Sequence, residues 1–156
     1  MMRVFIGYVS MSGNTEDIAT LLYDELNSLG CDVLMECLDT VDTEELLTYT
    51  GVLIGSYTWG DGDLPYEAED FYEELGDKKL SGVMAGCFGS GDYDYPKFCA
   101  AVDIFASKLN ENGAQVFDQL LKVELSPEST EQQMACKEFA RSFYFWLKER
   151  NIQHVS

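Results

Sequence analysis

A chain of 156 residues with 46% hydrophobic and 24% charged side chains has the size and balance of one soluble globular domain. Its formal net charge of −18 argues against nucleic acid and anionic membrane as partners and points to basic protein surfaces instead. The imbalance is confined to one half: residues 4 to 77 hold 18 acidic and no basic side chains, and the remainder is neutral. A solvated acidic surface that aids solubility is the other reading of the same charge.

The five cysteines (Cys31, Cys37, Cys87, Cys99 and Cys136) are odd in number and none has C-x-x-C spacing, which argues against a disulfide framework or zinc site and suits a reducing cytoplasm. The opening MMRVFIGYVS is too short an apolar run for a signal peptide, and no segment approaches membrane-span length. His154 is the only histidine and stands at the far end, so histidine acid–base chemistry is not expected.

In chain order, strand-like apolar runs alternate with helix-period segments. The first strand is expected over Arg3–Val9, followed by a turn and an amphipathic helix with Ile18, Leu22, Leu26 and Leu29 near helical spacing and Gly30 as its stop. A second strand follows over Asp32–Cys37, then a short helix after Asp42. The third strand, Val52–Ser56, and the fourth, Val83–Phe88, are nearly all apolar, as strands buried on both faces are. Between them a helix starts at Leu64-Pro65, with proline at its first turn. Another helix is expected from about Lys97 to Asn112. The fifth strand is Gln115–Val123. A last helix runs from near Ser129 to about Arg150, its buried stripe including Phe139, Phe143, Trp146 and Leu147.

Five βα units in strict alternation mean an α/β fold, a five-stranded parallel sheet with helices on both faces. Ligands in such sheets bind beyond the carboxyl ends of the strands, where strand order reverses. Three loops are therefore the places for chemistry.

The first is Ser10-Met11-Ser12-Gly13-Asn14-Thr15. Ser10, Ser12, Asn14 and Thr15 are potential donors to a phosphate, Gly13 permits a tight turn, and the helix start supplies outward N–H groups. Helix capping by Asn14 or Thr15 is the simpler reading, but it needs only one of them. No Lys or Arg occurs between Arg3 and Lys78, so a phosphate here is held by neutral donors. The second loop, Tyr57–Asp63, places Trp59 between glycines and acids, which suits a platform for a flat ring; a surface turn with a half-buried Trp is the alternative. The third, Gly89–Pro96, repeats that mixture with Tyr93 and Tyr95. Its G-x-G lacks the third glycine and immediate helix of a dinucleotide fingerprint. One phosphate cradle and two aromatic walls on one sheet edge suit a ligand with one phosphate and a flat ring.

Over its full length the chain resembles the flavodoxins, and in particular their short-chain branch. The residues that carry the likeness are Tyr8-Val9-Ser10-Met11-Ser12-Gly13-Asn14-Thr15-Glu16-Asp17-Ile18-Ala19, then Thr58-Trp59-Gly60-Asp61, then Gly89-Ser90-Gly91-Asp92-Tyr93 with Phe98-Cys99-Ala100-Ala101-Val102-Asp103. Gly7, inside the first strand, departs from the larger apolar residue usual there. The fifth strand lacks the long insertion of the other branch.

The resemblance implies strand order 2-1-3-4-5 and non-covalent FMN at the switch point, a placement that comes with the family. It also implies low-potential one-electron transfer from a reductase to acceptor enzymes. Carried over by position, Ser10, Met11, Ser12, Gly13, Asn14, Thr15 and Thr58 hold the phosphate. Trp59 covers one ring face and Tyr93 the outer face, with Tyr95 the second candidate. Gly60 matches the glycine whose peptide turns over so that its carbonyl accepts from flavin N5 on reduction, with Asp61 and Gly62 beside it. Asp92 and the backbone near Cys99 border the pyrimidine end, and Ser90 and Gly91 beside them are cofactor-binding positions of the same loop. One carboxylate at roughly 10 Å and an effective dielectric of ~20 disfavours the anionic reduced ring by about 1.7 kcal/mol. For one electron this is on the order of 70 mV before screening.

The expected partners are basic-surfaced redox proteins, docking weakly to a monomer. An FMN-dependent NAD(P)H quinone or azo reductase on the same fold is the alternative, against which stands the lack of a basic pocket for a dinucleotide. A ribonucleotide-reductase-associated flavodoxin-like protein lacks this Trp/Tyr pairing. A phospho-receiver domain needs an acidic pair where Ser10 and Met11 stand. No G-x-x-x-x-G-K-[ST] loop occurs.

Overall fold

The computed structural model describes the backbone of residues 2–155 and the side-chain surroundings up to Arg150; the side chain of His154 lies outside the described residues. Five parallel strands, β1 (Arg3–Val9), β2 (Asp32–Cys37), β3 (Gly51–Ser56), β4 (Met84–Gly91) and β5 (Gln115–Glu124), form one sheet in the order β2-β1-β3-β4-β5. Four α-helices connect or flank them: α1 (Asn14–Ser28), α2 (Tyr66–Gly76), α3 (Ala100–Glu111) and α4 (Thr130–Val155).

The central strands are buried on both faces, which is why they read as unbroken apolar runs. Alternation sorts their side chains. Val4, Ile6 and Tyr8 face a core with Ile18, Leu22 and Leu26 of α1 and Phe139, Phe143 and Leu147 of α4. Phe5, Val9, Val52 and Ile54 face the opposite core with Phe71 and Leu75 of α2 and Val102, Phe105 and Leu109 of α3. Helices α1 and α2 thus leave neighbouring strands β1 and β3 toward opposite faces. Their connections run in opposite directions along the sheet, and the carboxyl ends of β1 and β3 part around a crevice.

The segment after Asp42 is a 3₁₀ helix, Thr43–Thr48, rather than an α-helix; Asp42 caps it by accepting from the Glu44 N–H at 3.0 Å. Pro65 is the N-cap of α2 and not its first helical residue. Helix α3 starts at Ala100 instead of Lys97, because Cys99 takes a left-handed backbone conformation (φ 53°) and holds the preceding turn out of the helix. On α4, Phe139, Phe143 and Leu147 are buried, while Trp146 is half-buried against Phe117.

Close backbone approach at the crevice rests on glycine. A Cβ on Gly89 would collide with the Ser56 carbonyl oxygen and fall 2.6 Å from Val102 Cγ2. The obstruction is a neighbouring strand's backbone, which cannot rotate away. Gly89→Ala is therefore expected to cost about 3 kcal/mol of unfolding free energy, at the upper end for overpacking. Urea unfolding of the FMN-free protein, followed by far-UV circular dichroism, measures it; a loss under ~0.5 kcal/mol contradicts this packing.

Candidate functional site

Helix α1 begins directly beyond β1, and its N-cap is Gly13 in a left-handed conformation (φ 91°) with no side-chain cap. Neither Asn14 nor Thr15 caps the helix. Nothing lies within 4 Å of a Cβ built on Gly13, so the backbone angle alone selects glycine there. Ser10 Oγ accepts from the N–H groups of Gly13 (3.1 Å) and Glu16 (3.3 Å). With its lone pairs turned to the protein, its proton remains to donate outward. Among the described residues the backbone N–H groups of Ser12, Asn14 and Thr15 have no acceptor. Together with the helix dipole, such donors suit an anion.

Loops one and three meet at the buried pair Thr15 Oγ1–Ser90 Oγ, 2.7 Å apart. One hydroxyl donates to the other, so one of the two protons stays free. Thr58 Oγ1 accepts from the Ala101 N–H at 3.0 Å and in this way fixes the start of α3. Its proton, too, is left over.

Loop two is a tight turn closed by mutual bonds between Trp59 and Asp63 (N to O, 2.8 and 2.9 Å), with the Gly62 N–H reaching the Trp59 carbonyl at 3.3 Å. Gly60 (φ 55°) and Gly62 (φ 104°) both need left-handed backbone. Among the described residues, the peptide between Gly60 and Asp61 has no hydrogen bond to the protein, so nothing holds it in one orientation. Trp59 projects from this turn, 54% exposed. Beneath it, Tyr57 donates from its hydroxyl to Glu67 Oε2 at 2.9 Å; burial first, then this bond, pushes the Tyr57 pKa up to about 12.

Loop three is braced from β5. The Tyr93 N–H donates to Glu124 Oε2 (3.1 Å) and the Leu125 N–H to the Gly91 carbonyl (2.7 Å). The Tyr93 ring stacks on Phe98, with centroids 4.2 Å apart. Burial pushes the Cys99 thiol up to about 12, so it stays neutral beside the anion site, within weak-donor distance of the Gly89 and Val123 carbonyls.

The three loops enclose a cleft of about 240 Å³. Of the residues that the sequence singled out, Ser10, Met11, Ser12, Asn14, Thr15, Thr58, Gly60, Ser90, Gly91, Asp92 and Cys99 line it. Gly13, Trp59, Asp61, Gly62 and Tyr93 stand around it without forming its wall. Tyr95 lines it instead of Tyr93. Tyr57, Lys97 and Leu125 also form wall positions that sequence reasoning did not assign. Tyr57 directly precedes Thr58, and Leu125 directly follows β5, so the carboxyl-end rule contained the signal for both. Beside the cleft, sharing Met11 and Tyr57 with it, a more open hollow of about 780 Å³ is walled by Trp59, Tyr66, Tyr72 and acids of α2. No group of metal-ligating side chains occurs among the described residues.

The Flavodoxin family model matches residues 6–139. The chain belongs to the flavodoxin family. It is 50% identical to "Probable flavodoxin 1" of Bacillus subtilis over the whole of both chains. It is 35% identical to a flavodoxin of Maridesulfovibrio salexigens over 84% of this chain and 92% of that one. Its fold superposes on the crystal structure of oxidised Flavodoxin 2 from Bacillus cereus with a TM-score of 0.89 and 46% identity, over 91% of this chain and 97% of that one. As a flavodoxin the chain binds FMN and carries electrons, and is not an enzyme with its own substrate. These likenesses do not favour the quinone or azo reductase alternative.

Proposed function

We propose that the cleft at the carboxyl ends of β1, β3 and β4 is the FMN site of a one-domain electron carrier that docks basic-surfaced redox partners. The observation that carries this reading is the set of free N–H groups on Ser12, Asn14 and Thr15, ringed by the hydroxyls of Ser10, Thr15, Ser90 and Thr58. That donor set suits a phosphate dianion and needs no cation. FMN bound there supplies the one-electron redox chemistry.

The remaining residues bind and orient it. Met11, Gly13 and Ser12 shape the phosphate loop. Tyr95, on the cleft wall, fits the outer ring face better than Tyr93, whose ring is already stacked on Phe98. Trp59 is the exposed aromatic available to the other face. The unbonded Gly60–Asp61 peptide is free to offer either its carbonyl or its N–H to the ring edge, and Gly62 keeps the turn narrow. Gly91, Asp92 and the Cys99 backbone close the far end.

Asp61, Asp63 and Asp94 are exposed and Asp92 half-buried around this cleft, and none is in an ion pair among the described residues. They disfavour added negative charge on the ring and attract basic docking surfaces. No helix among the described residues is long and apolar enough to cross a membrane. Five free thiols support a reducing compartment, the cytoplasm, and the acidic surface argues against nucleic acid and for a monomer.

Ser10→Ala combined with Thr15→Ala removes two hydroxyls, each worth about 1.5–3 kcal/mol when facing a charged acceptor. FMN binding, followed by quenching of flavin fluorescence, is expected to weaken at least about 100-fold and riboflavin binding by less than about threefold. Equal losses for both ligands would show that this loop does not read the phosphate. For docking, the quadruple change of Asp61, Asp63, Asp92 and Asp94 to Asn should flatten the ionic-strength dependence of electron transfer from a flavodoxin reductase in stopped-flow measurements. An unchanged dependence places the docking charges elsewhere.

A further inference from the structure

Lys97 is the one basic side chain on the wall of the cleft. The chain carries 28 acidic side chains, yet among the described residues Lys97 enters no ion pair and no side-chain hydrogen bond. Packing of its stem locates it instead. A Cβ on Gly62 would fall 2.6 Å from Lys97 Cδ and 3.1 Å from Lys97 Cβ. The glycine that the turn needs for its backbone also leaves the space in which the lysine stem crosses loop two. Lys97 thus ties loop three to the 60–62 turn, and it does so at loop two, not at the phosphate loop.

We infer that Lys97 is a potential-setting residue: an exposed positive charge on the cleft wall, its stem resting on loop two, that partly offsets the surrounding carboxylates. The inference rests on the FMN reading above. An electron that arrives without a proton makes the bound ring one unit more negative, and a nearby cation favours that state. At roughly 10 Å and an effective dielectric of ~20 the preference is about fifteenfold before salt screening, and about three- to tenfold after it. Because the stem crosses loop two, the charge acts on the ring; FMN and riboflavin feel it alike.

The test uses the FMN-loaded protein. Lys97→Met keeps an unbranched apolar stem and removes the charge, whereas Lys97→Arg retains the charge. Both one-electron potentials are measured by spectroelectrochemical titration at low and high salt, and the dissociation constants of oxidised FMN and riboflavin are measured alongside. With Lys97→Met, the fully reduced ring is expected to bind about three- to tenfold more weakly relative to the oxidised one. This appears as a shift of the lower potential by about 30–60 mV in the negative direction, smaller at high salt and abolished in Lys97→Arg. Unchanged potentials in Lys97→Met with FMN still bound overturn the inference. Equal shifts in the Met and Arg variants overturn it too, since they make the stem and not the charge responsible. A loss of FMN affinity that riboflavin does not share shows a phosphate contact and likewise overturns it. If the unaltered protein takes up no FMN, the reading on which the inference rests fails first, before either variant is compared.

Discussion

The site depends on one constraint: among the described residues, the N–H groups of Asn14 and Thr15 at the start of α1 have no acceptor. A helix start always leaves such donors, and most helices satisfy them with a capping side chain or water. Here Gly13 occupies the N-cap and offers no side chain, and Ser10 satisfies only the N–H groups of Gly13 and Glu16. The unsatisfied donors open into a crevice that the sheet creates by sending α1 and α2 to opposite faces. Strand order and anion site are therefore two consequences of one chain path.

Around that site the protein withholds positive charge. From residue 4 to 77 it uses hydroxyls and amides where another anion site would use lysine or arginine. In the proposed site, neutral donors would hold a phosphate without lending the neighbouring ring a compensating charge, so the exposed carboxylates would keep their effect. Lys97 enters this field from loop three, across Gly62. The same glycine serves the backbone of the turn and the passage of the lysine stem, which joins the local geometry of loop two to the electrostatics of the cleft.

Much of this was legible in the sequence, for physical reasons. Val52–Ser56 reads as a strand because both its faces are buried, and the spacing of Ile18, Leu22 and Leu26 reads as a helix because one face is. The cleft's polar residues were legible because four donors in six residues exceed the needs of a cap. Other features depend on contacts between segments distant in the chain. Two tyrosines two positions apart in a turn look alike until Phe98 stacks against one of them. The late start of α3 follows from a left-handed Cys99, a conformation that no local preference of cysteine announces. Lys97 read as the first residue of a helix, and its place on the cleft wall, with its stem against Gly62, is a contact between loops that the sequence does not announce.

In the proposed site, the N–H groups left without an acceptor at the start of α1 are the phosphate receptor. Amide chemical shifts of the ¹⁵N-labelled, FMN-free protein during titration with inorganic phosphate test it most directly. Saturable downfield shifts of the Ser12, Asn14 and Thr15 amide protons are expected, with those of Gly13 and Glu16, already bonded to Ser10, moving little. Saturable shifts centred on another part of the chain, or none at the α1 start, would contradict it.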